Sequence, residues 1–383
     1  MTCRRLLLNF GSRSTDLRVG SSAFDELPRL LKGAVSKPRA AFLIAAAGEA
    51  PEHVDEVRHS LTDAGYTVHV YAHAGHERLD TLECAQDVLA QVGRAGITAE
   101  DLLVGLGNMA VCSLASFCGR LWCAGMPVAL IPTTLDAMVC APTQMQPLSV
   151  APAGAGEAGV PAEGALEEDA PALVSLAPEL SLIVCNLDFV CAAPLEANAL
   201  GYVRMVAASL AESRKHWGAF AEVIEGLRAG QEIAFIDALC AAENARLHTV
   251  KSVSPSARRA FIYGETTARA LQACLAKQGA RPPFYQLLAE GMRFEARMAT
   301  DATGFSVDDM FCQDDYLEDL GIEELAFELE SETFIEALRA ERFARANRFQ
   351  FALPKNPGTI RLTAVDDETL ERHARAFLAS RAP

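Results

Sequence analysis

Apolar runs and amphipathic stretches alternate along the first third of the chain. Ala41 to Ala45 is uninterrupted apolar sequence and predicts a strand buried on both faces. Val54 to Ala64 carries apolar residues at helical spacing and stops at Gly65. Tyr66 to Tyr71 alternates like a strand, and Leu79 to Val92 returns to the helical period. The rhythm is clearest between Asp101 and Gln146. Leu102 to Leu106 ends in a Gly105-Leu106-Gly107 turn, a small-residue helix is expected over Ala110 to Cys123, and Val128 to Ile131 closes on Pro132-Thr133-Thr134. This alternation predicts an α/β fold with a Rossmann-like parallel sheet, whose nucleotide edge lies at the carboxyl ends of its strands.

The pattern then breaks twice. Residues 147–178 are rich in Ala, Gly, Pro and Glu without apolar periodicity, and predict a flexible insertion. Leu180 to Val184 is strand-like again. After Pro194 the spacing is helical over Leu195–Glu212, His216–Ala229, Ile233–Val250, Ala257–Lys277 and Pro283–Ala299. Phe349–Leu353 and Thr359–Leu362 read as a hairpin, and Asp367–Leu378 as a last helix. The expected layout is an α/β domain over residues 1–193 and a helical domain over 194–383, with the cleft between them as the default site.

Composition narrows the function classes. A formal net charge of −16 over 383 residues, with no basic stretch, argues against nucleic acid and anionic membranes as partners. The apolar run Leu6 to Leu8 is too short for a signal peptide, and the glycines and serines within Leu102 to Gly119 favour a buried βα unit over a membrane span. A cytoplasmic protein is expected. The eleven cysteines lie mostly in apolar runs and form no C-x-x-C pair, so they read as buried hydrophobes. Along the acidic stretch Asp308 to Glu324, interleaved Phe311, Tyr316, Leu317, Leu320 and Leu325 predict a buried helix face opposite a solvated acidic one.

Several motifs carry a family resemblance. The Gly105-Leu106-Gly107 turn, the run AGMPVALIPTTLDAMV from Ala124, the YGET at Tyr263 and the closing RFQFALPKNPGTIRLTAVDDETLERHARAFL together resemble the 3-dehydroquinate synthase family of sugar-phosphate cyclases. Iron-dependent polyol dehydrogenases share the fold, but Leu135 to Val139 favours the cyclase branch. The resemblance implies a dehydroquinate synthase-like fold, NAD and a zinc or cobalt ion. It also implies a lyase activity that oxidises a sugar phosphate, eliminates phosphate and closes a carbocycle.

Carried over position by position, the resemblance leaves few of the family's functional residues. The glycine turn and following aspartate of the cofactor site fall on Gly107, Asn108, Met109 and Ser113. The adenosine-side motif keeps only Glu77, and the segment after Val139 holds Cys140 to Gln146 in place of an aspartate, glycines and a lysine. The three metal positions fall on Arg204, Glu265 and Phe284, which are not a zinc set. Further substrate positions carry Ala124, Ala207, Asn244, Ile262 and Arg269. Arg258, Glu77, Thr133 and Thr134 are kept, and Arg342 stands for a lysine.

These substitutions lead to the expectation that no cofactor and no metal is held, and that Gly107, Glu77, Thr133 and Thr134 are remnants of a cofactor site. The function expected first is a pseudoenzyme or partner subunit in a biosynthetic pathway, as a homodimer or as a heterodimer with an active cyclase paralogue. One alternative is a metal-independent enzyme in which Arg204, Arg258, Arg269 and Arg342, with Glu265, hold an anionic phosphate or carboxylate substrate in the cleft. The other is ordinary cyclase activity. Arg204 and Glu265, at neighbouring former ligand positions, are expected to form an ion pair.

Overall fold

The computed structural model describes residues 3–11, 13–21, 23–46, 48–73, 78–144, 147–149, 172–254 and 259–383. The chain forms two compact units, Met1–Ala192 and Ala193–Pro383.

The first unit is built on a seven-stranded sheet. Its strands are β1 (Arg4–Asn9), β2 (Ser14–Val19), β3 (Ala40–Ala45), β4 (Thr67–Val70), β5 (Leu102–Gly107), β6 (Val128–Pro132) and, later in the chain, β9 (Leu182–Cys185). The order is β1-β2-β9-β6-β5-β3-β4; every pair is parallel except β1 with β2. Helices α1 (Leu27–Lys32), α2 (Pro51–Asp63), α3 (Leu82–Arg94), α4 (Met109–Leu121), α5 (Leu135–Cys140) and α6 (Asp188–Cys191) connect and cover the strands. Strands β3, β5 and β6 are buried along their whole length, which is why they read as unbroken apolar runs. Helix α4 closes on β5 and β6 because Gly105 and Gly119 carry no side chain: a Cβ on Gly119 would stand 2.3 Å from Val128 Cγ2.

Three features of this unit depart from the sequence expectation. The β1–β2 hairpin and α1 were not foreseen, since the hairpin is an edge whose Arg4 and Arg5 face solvent and whose apolar alternation is short. Two strands, β7 (Leu148–Ser149) and β8 (Ala172–Val174), pair antiparallel at the ends of the expected flexible insertion. Ser149 is anchored there by bonds from its N–H and hydroxyl to the Asp80 carbonyl, at 2.8 and 3.0 Å. The insertion's middle, 150–171, lies outside the described residues. Cys123, expected to be buried, is exposed in a turn where it and Ala124 both take positive φ, 50° and 65°.

The second unit comprises α7 (Leu195–Glu212), α8 (Arg214–Ala219), α9 (Ala221–Arg228), α10 (Glu232–Val250), α11 (Glu265–Lys277), α12 (Phe284–Ala302), α13 (Val307–Asp319), α14 (Ser331–Arg345), the hairpin β10 (Gln350–Asn356) and β11 (Thr359–Ala364), and α15 (Asp367–Arg381). The helix expected over His216–Ala229 is two short ones meeting at Phe220. Of the helix expected over Ala257–Lys277, Ala257 and Arg258 lie outside the described residues, Ala260–Ile262 is a 3-10 turn, and the α-helix begins at Glu265, after Gly264 at φ +79°.

Helix α12 is the centre of this unit, buried from Leu287 to Met292 and on to Glu295. Its core is partly ionic. Arg293 donates to Glu290 at 2.9 Å and to the Ile322 carbonyl at 2.7 Å, and Arg381 Nε reaches the other Glu290 oxygen at 2.6 Å. The acidic stretch differs correspondingly from the expected solvated face. Asp309 and Asp314 are buried against Arg214 and Arg297 at 2.6 and 2.8 Å, whereas Phe311 is 55% exposed. The arginines lie far off in sequence, so periodicity could not assign these aspartates to the core. Among the described residues, no helix is long and apolar enough to cross a membrane.

Candidate functional sites

The order in which the chain adds strands reverses between β3 and β5, with β4 on one side of β3 and β5 on the other, so the turns after β3 and β5 frame the crevice where such sheets take nucleotides. Gly107 ends β5 at φ +148°, and Thr133, after β6, donates its N–H to the Gly107 carbonyl at 3.0 Å. The Thr133 hydroxyl donates to Glu49 Oε2 at 3.2 Å, and Glu49 Oε1 meets His53 Nδ1 at 3.0 Å. Sequence reasoning missed Glu49, which had no motif around it. Asn108 caps α4: its Oδ1 accepts from the N–H groups of Ala110 and Val111 at 3.1 and 3.3 Å, two donors that otherwise face this edge. Thr134 contributes a buried hydroxyl with no partner. The edge offers acceptors suited to ribose hydroxyls and one orphaned polar atom. Glu77 and Gln146 lie outside the described residues.

In the second unit, Gly264 and Gly291 let α11 begin directly against α12; a Cβ on Gly291 would lie 2.1 Å from the Gly264 carbonyl oxygen. This places Glu265 at the first position of α11, facing α7. Arg204 Nη1 donates to Glu265 Oε1 at 2.5 Å, with the two side chains only 15% and 14% exposed. Burial pushes the Glu265 carboxyl up, but the charges of Arg204, Arg269 and Arg345 outweigh it and hold the group below its usual range. Arg269 lies 3.9 Å from Glu341 and over the ring of Phe284 at 5.6 Å. The expected Arg204–Glu265 pair is therefore present, and Arg269 completes a small ionic cluster around it. Among the described residues, no group of three His, Cys, Asp or Glu side chains is placed to hold a metal ion. The side chains at 204, 265 and 284 do not fit one as arranged.

Beside this cluster, Glu295 of α12 accepts from the Gly264 N–H at 2.8 Å and the Thr267 hydroxyl at 2.9 Å. Its complete burial, and secondarily the charge of Glu265, leave its carboxyl pushed up to about 8 despite these donors.

Unlike Arg204 and Arg269, Arg342 forms no ion pair among the described residues, although the charges of Glu295, Arg345 and Glu341 act on it. It lines a cavity of about 370 Å³ together with Arg259, Arg348, Asn347, Gln350, Ala346 and Leu362. No lining residue is acidic, and none of the three arginines forms an ion pair among the described residues. Arg342 is 3% exposed and its Nε has no hydrogen-bond partner. Burial first, then the charge of Arg259, presses this guanidinium below its usual range. Three cations in a lining that holds no acidic side chain make a site for an anion, with Glu295 and Glu341 offsetting part of the charge of Arg342. Arg258 lies outside the described residues, while its neighbour Arg259 and Arg348 had not been singled out. The signals available were the doubled arginine at 258–259 and the arginines flanking Ala346-Asn347.

Comparison with known proteins gives these sites a context. No protein-family model matches the chain. The 3-dehydroquinate synthase of Thermobifida fusca is 31% identical over 139 residues, 36% of this chain and 37% of that protein. The 3-dehydroquinate synthase of Corynebacterium jeikeium is 25% identical over 320 residues, 82% of this chain and 81% of its own length. In fold, the chain is similar to 2-deoxy-scyllo-inosose synthase complexed with carbaglucose-6-phosphate, NAD+ and Co2+ (TM-score 0.77, 13% identity, 99% of this chain and 100% of the other). It is also similar to 2-epi-5-epi-valiolone synthase from Streptomyces hygroscopicus subsp. jinggangensis 5008 with NAD+ and Zn2+ bound (TM-score 0.73, 16% identity, 97% and 99% covered). These neighbours, with NAD+ and Co2+ or Zn2+ bound, overturn the expectation that no cofactor and no metal is held. That expectation treated every replaced motif residue as a lost contact, yet much of a dinucleotide's hold comes from backbone turns that tolerate replacement.

Proposed function

We propose, for a chain related to the 3-dehydroquinate synthases and sharing the sugar-phosphate cyclase fold, that it binds a phosphorylated sugar-like molecule through Arg259, Arg342 and Arg348. The observation that carries this reading is the acid-free arginine cavity, in a protein whose other buried arginines are largely matched by carboxylates. A phosphate monoester offers three oxygens to converging guanidiniums, and each charge-assisted bond is roughly twice as strong as a neutral one. The phosphorylated ligand of the inosose synthase neighbour supports the same ligand class. In this reading Gly107, Thr133 and Thr134 at the sheet edge would hold NAD+, which would supply hydride transfer when bound.

The test is a thermal-shift titration of the full chain with inorganic phosphate, hexose phosphates and NAD+. Sugar phosphate at millimolar concentration is expected to raise the melting temperature, and Arg342→Met to remove that rise while leaving the response to NAD+. Absence of any phosphate response in the wild type sinks the reading.

A second reading is a non-catalytic subunit that binds the same ligand class beside an active cyclase. It is favoured by Arg204, a cation held against Glu265 where the resemblance implies two ligands of one ion. Turnover of a sugar phosphate by the purified chain, with NAD+ and Co2+ or Zn2+ supplied, rules it out.

A further inference from the structure

Another cavity, of about 440 Å³, lies in the first unit at the amino ends of β2, β6 and β9, the opposite pole of the sheet from the nucleotide crevice. Backbone bonds set its walls. The Phe10 N–H donates to the Arg13 carbonyl at 2.8 Å across the β1–β2 turn, the Ser181 N–H to the Val128 carbonyl at 2.9 Å, and the Met126 N–H to the Gly119 carbonyl at 2.9 Å. The Thr15 hydroxyl ties β2 to the segment before β9 through the Leu180 carbonyl at 2.9 Å. The wall also includes Ala124, which with Cys123 holds a left-handed backbone that glycine alone adopts without cost. Strain of this kind gathers at ligand-binding sites.

The charged residues of the lining are Arg13, Arg120 and Glu179. Glu179 bridges the two arginines, with Oε1 against Arg13 Nη1 and Oε2 against Arg120 Nη1. One carboxylate between two guanidiniums leaves one positive charge uncancelled, in a chain whose formal net charge is −16. Burial, and then the charge of Arg120, press the Arg13 guanidinium below its usual range, so each cation still feels the other across the bridge. Nε and Nη2 of both arginines make no hydrogen bond among the described residues, and together they form the parallel pair of donors that grips a carboxylate. The Ser14 and Ser181 hydroxyls are likewise without hydrogen bonds there and can donate. What the cavity still offers is donors and a positive charge.

We propose that this cavity is a binding site for a small organic carboxylate with a compact apolar body. The ligand's carboxylate bridges the two guanidiniums as Glu179 does, so that the four charges alternate and cancel. The body lies against Met126, Pro127 and Leu180. A neutral amide of the same shape leaves the positive charge unmatched, and an ammonium ion meets like charge. Inorganic phosphate brings no body for the apolar wall. The volume falls within the roughly 300–1,000 Å³ of ordinary ligand pockets and admits a body of one six-membered ring. The site is separate from the arginine cavity of the second unit and does not depend on the function proposed above.

Isothermal titration of the full chain compares cyclohexanecarboxylate, cyclohexanecarboxamide and inorganic phosphate, with Arg342→Met run alongside to take the arginine cavity out of the comparison. The carboxylate is expected to bind at least roughly tenfold more tightly than the amide, equally well to wild type and Arg342→Met, and to resist displacement by equimolar phosphate. Arg120→Gln, at a side chain 39% exposed, is expected to abolish carboxylate binding. Should that variant fail to fold, Arg13→Gln, 49% exposed on the hairpin turn, is expected to weaken the carboxylate at least roughly tenfold while leaving the amide unchanged. Equal binding of carboxylate and amide, full binding by either glutamine variant, or no carboxylate binding at millimolar concentration overturns the proposal. So does loss of binding in Arg342→Met, or displacement by equimolar phosphate.

Discussion

Glu265 shows how much one residue's role depends on what stands across from it. Its carboxylate is held ionised by Arg204, with Arg269 and Arg345 behind, so removing Arg204 leaves a nearly buried charge without its main partner. Arg204→Met should therefore cost about 3–5 kcal/mol of stability, read from denaturant unfolding. Arg204→Met combined with Glu265→Leu should recover much of that loss. Glu295 behaves in the opposite sense. Burial raises its pKa from an ordinary 4.5 to about 8, so the folded chain keeps a proton that the unfolded chain releases. The stability this group contributes is complete below pH 4.5 and declines as pH rises towards about 8. Glu295→Gln should flatten that decline, gaining roughly 2–4 kcal/mol on the wild type between mildly acidic and mildly alkaline pH. Unfolding midpoints of both proteins across that range measure it. A parallel pH dependence in the two proteins refutes the assignment.

At the level of elements, the approach of α11 to α12 decides where Glu265 and Glu295 sit. Gly264 at φ +79° starts α11, and Gly291 gives it room on α12. Gly291→Ala should cost at least about 1–3 kcal/mol by overpacking, because the clash is with backbone and no side chain can swing away. It should also weaken sugar-phosphate binding less than it lowers stability, since Arg259, Arg342 and Arg348 lie on other elements. Paired melting and titration curves separate these effects. Gly264 was visible in the sequence within the YGET motif, but the purpose of neither glycine was. Spacing cannot tell that two glycines 27 positions apart touch. The same limit hid the N-terminal hairpin: an edge strand needs only one modestly apolar face, and β1 buries little beyond Leu8.

The whole molecule carries a formal net charge of −16. Duplex DNA and anionic vesicles should therefore bind too weakly to detect at physiological salt in a fluorescence-polarisation or sedimentation assay. Against that background the arginine cavity is a local inversion of sign. Its three cations come from the segment before α11, from α14 and from the turn into β10. Motif positions group Arg342 with Arg204 and Arg269, but the latter two face carboxylates, and Arg342 is joined instead by Arg259 and Arg348.

The amino-acid pattern alone determined the architecture. Unbroken apolar runs require strands covered on both faces, helical periodicity over the second half requires packed helices, and the Pro132-Thr133-Thr134 and Gly-Met-Pro runs carry enough identity to mark the lineage. Those are local properties, written in consecutive residues. Which charges cancel and which remain unpaired was decided by the tertiary structure. An arginine's role depends on the sign of the group opposite it, and in this chain Arg204 meets a glutamate 61 positions away while Arg342 meets two more arginines.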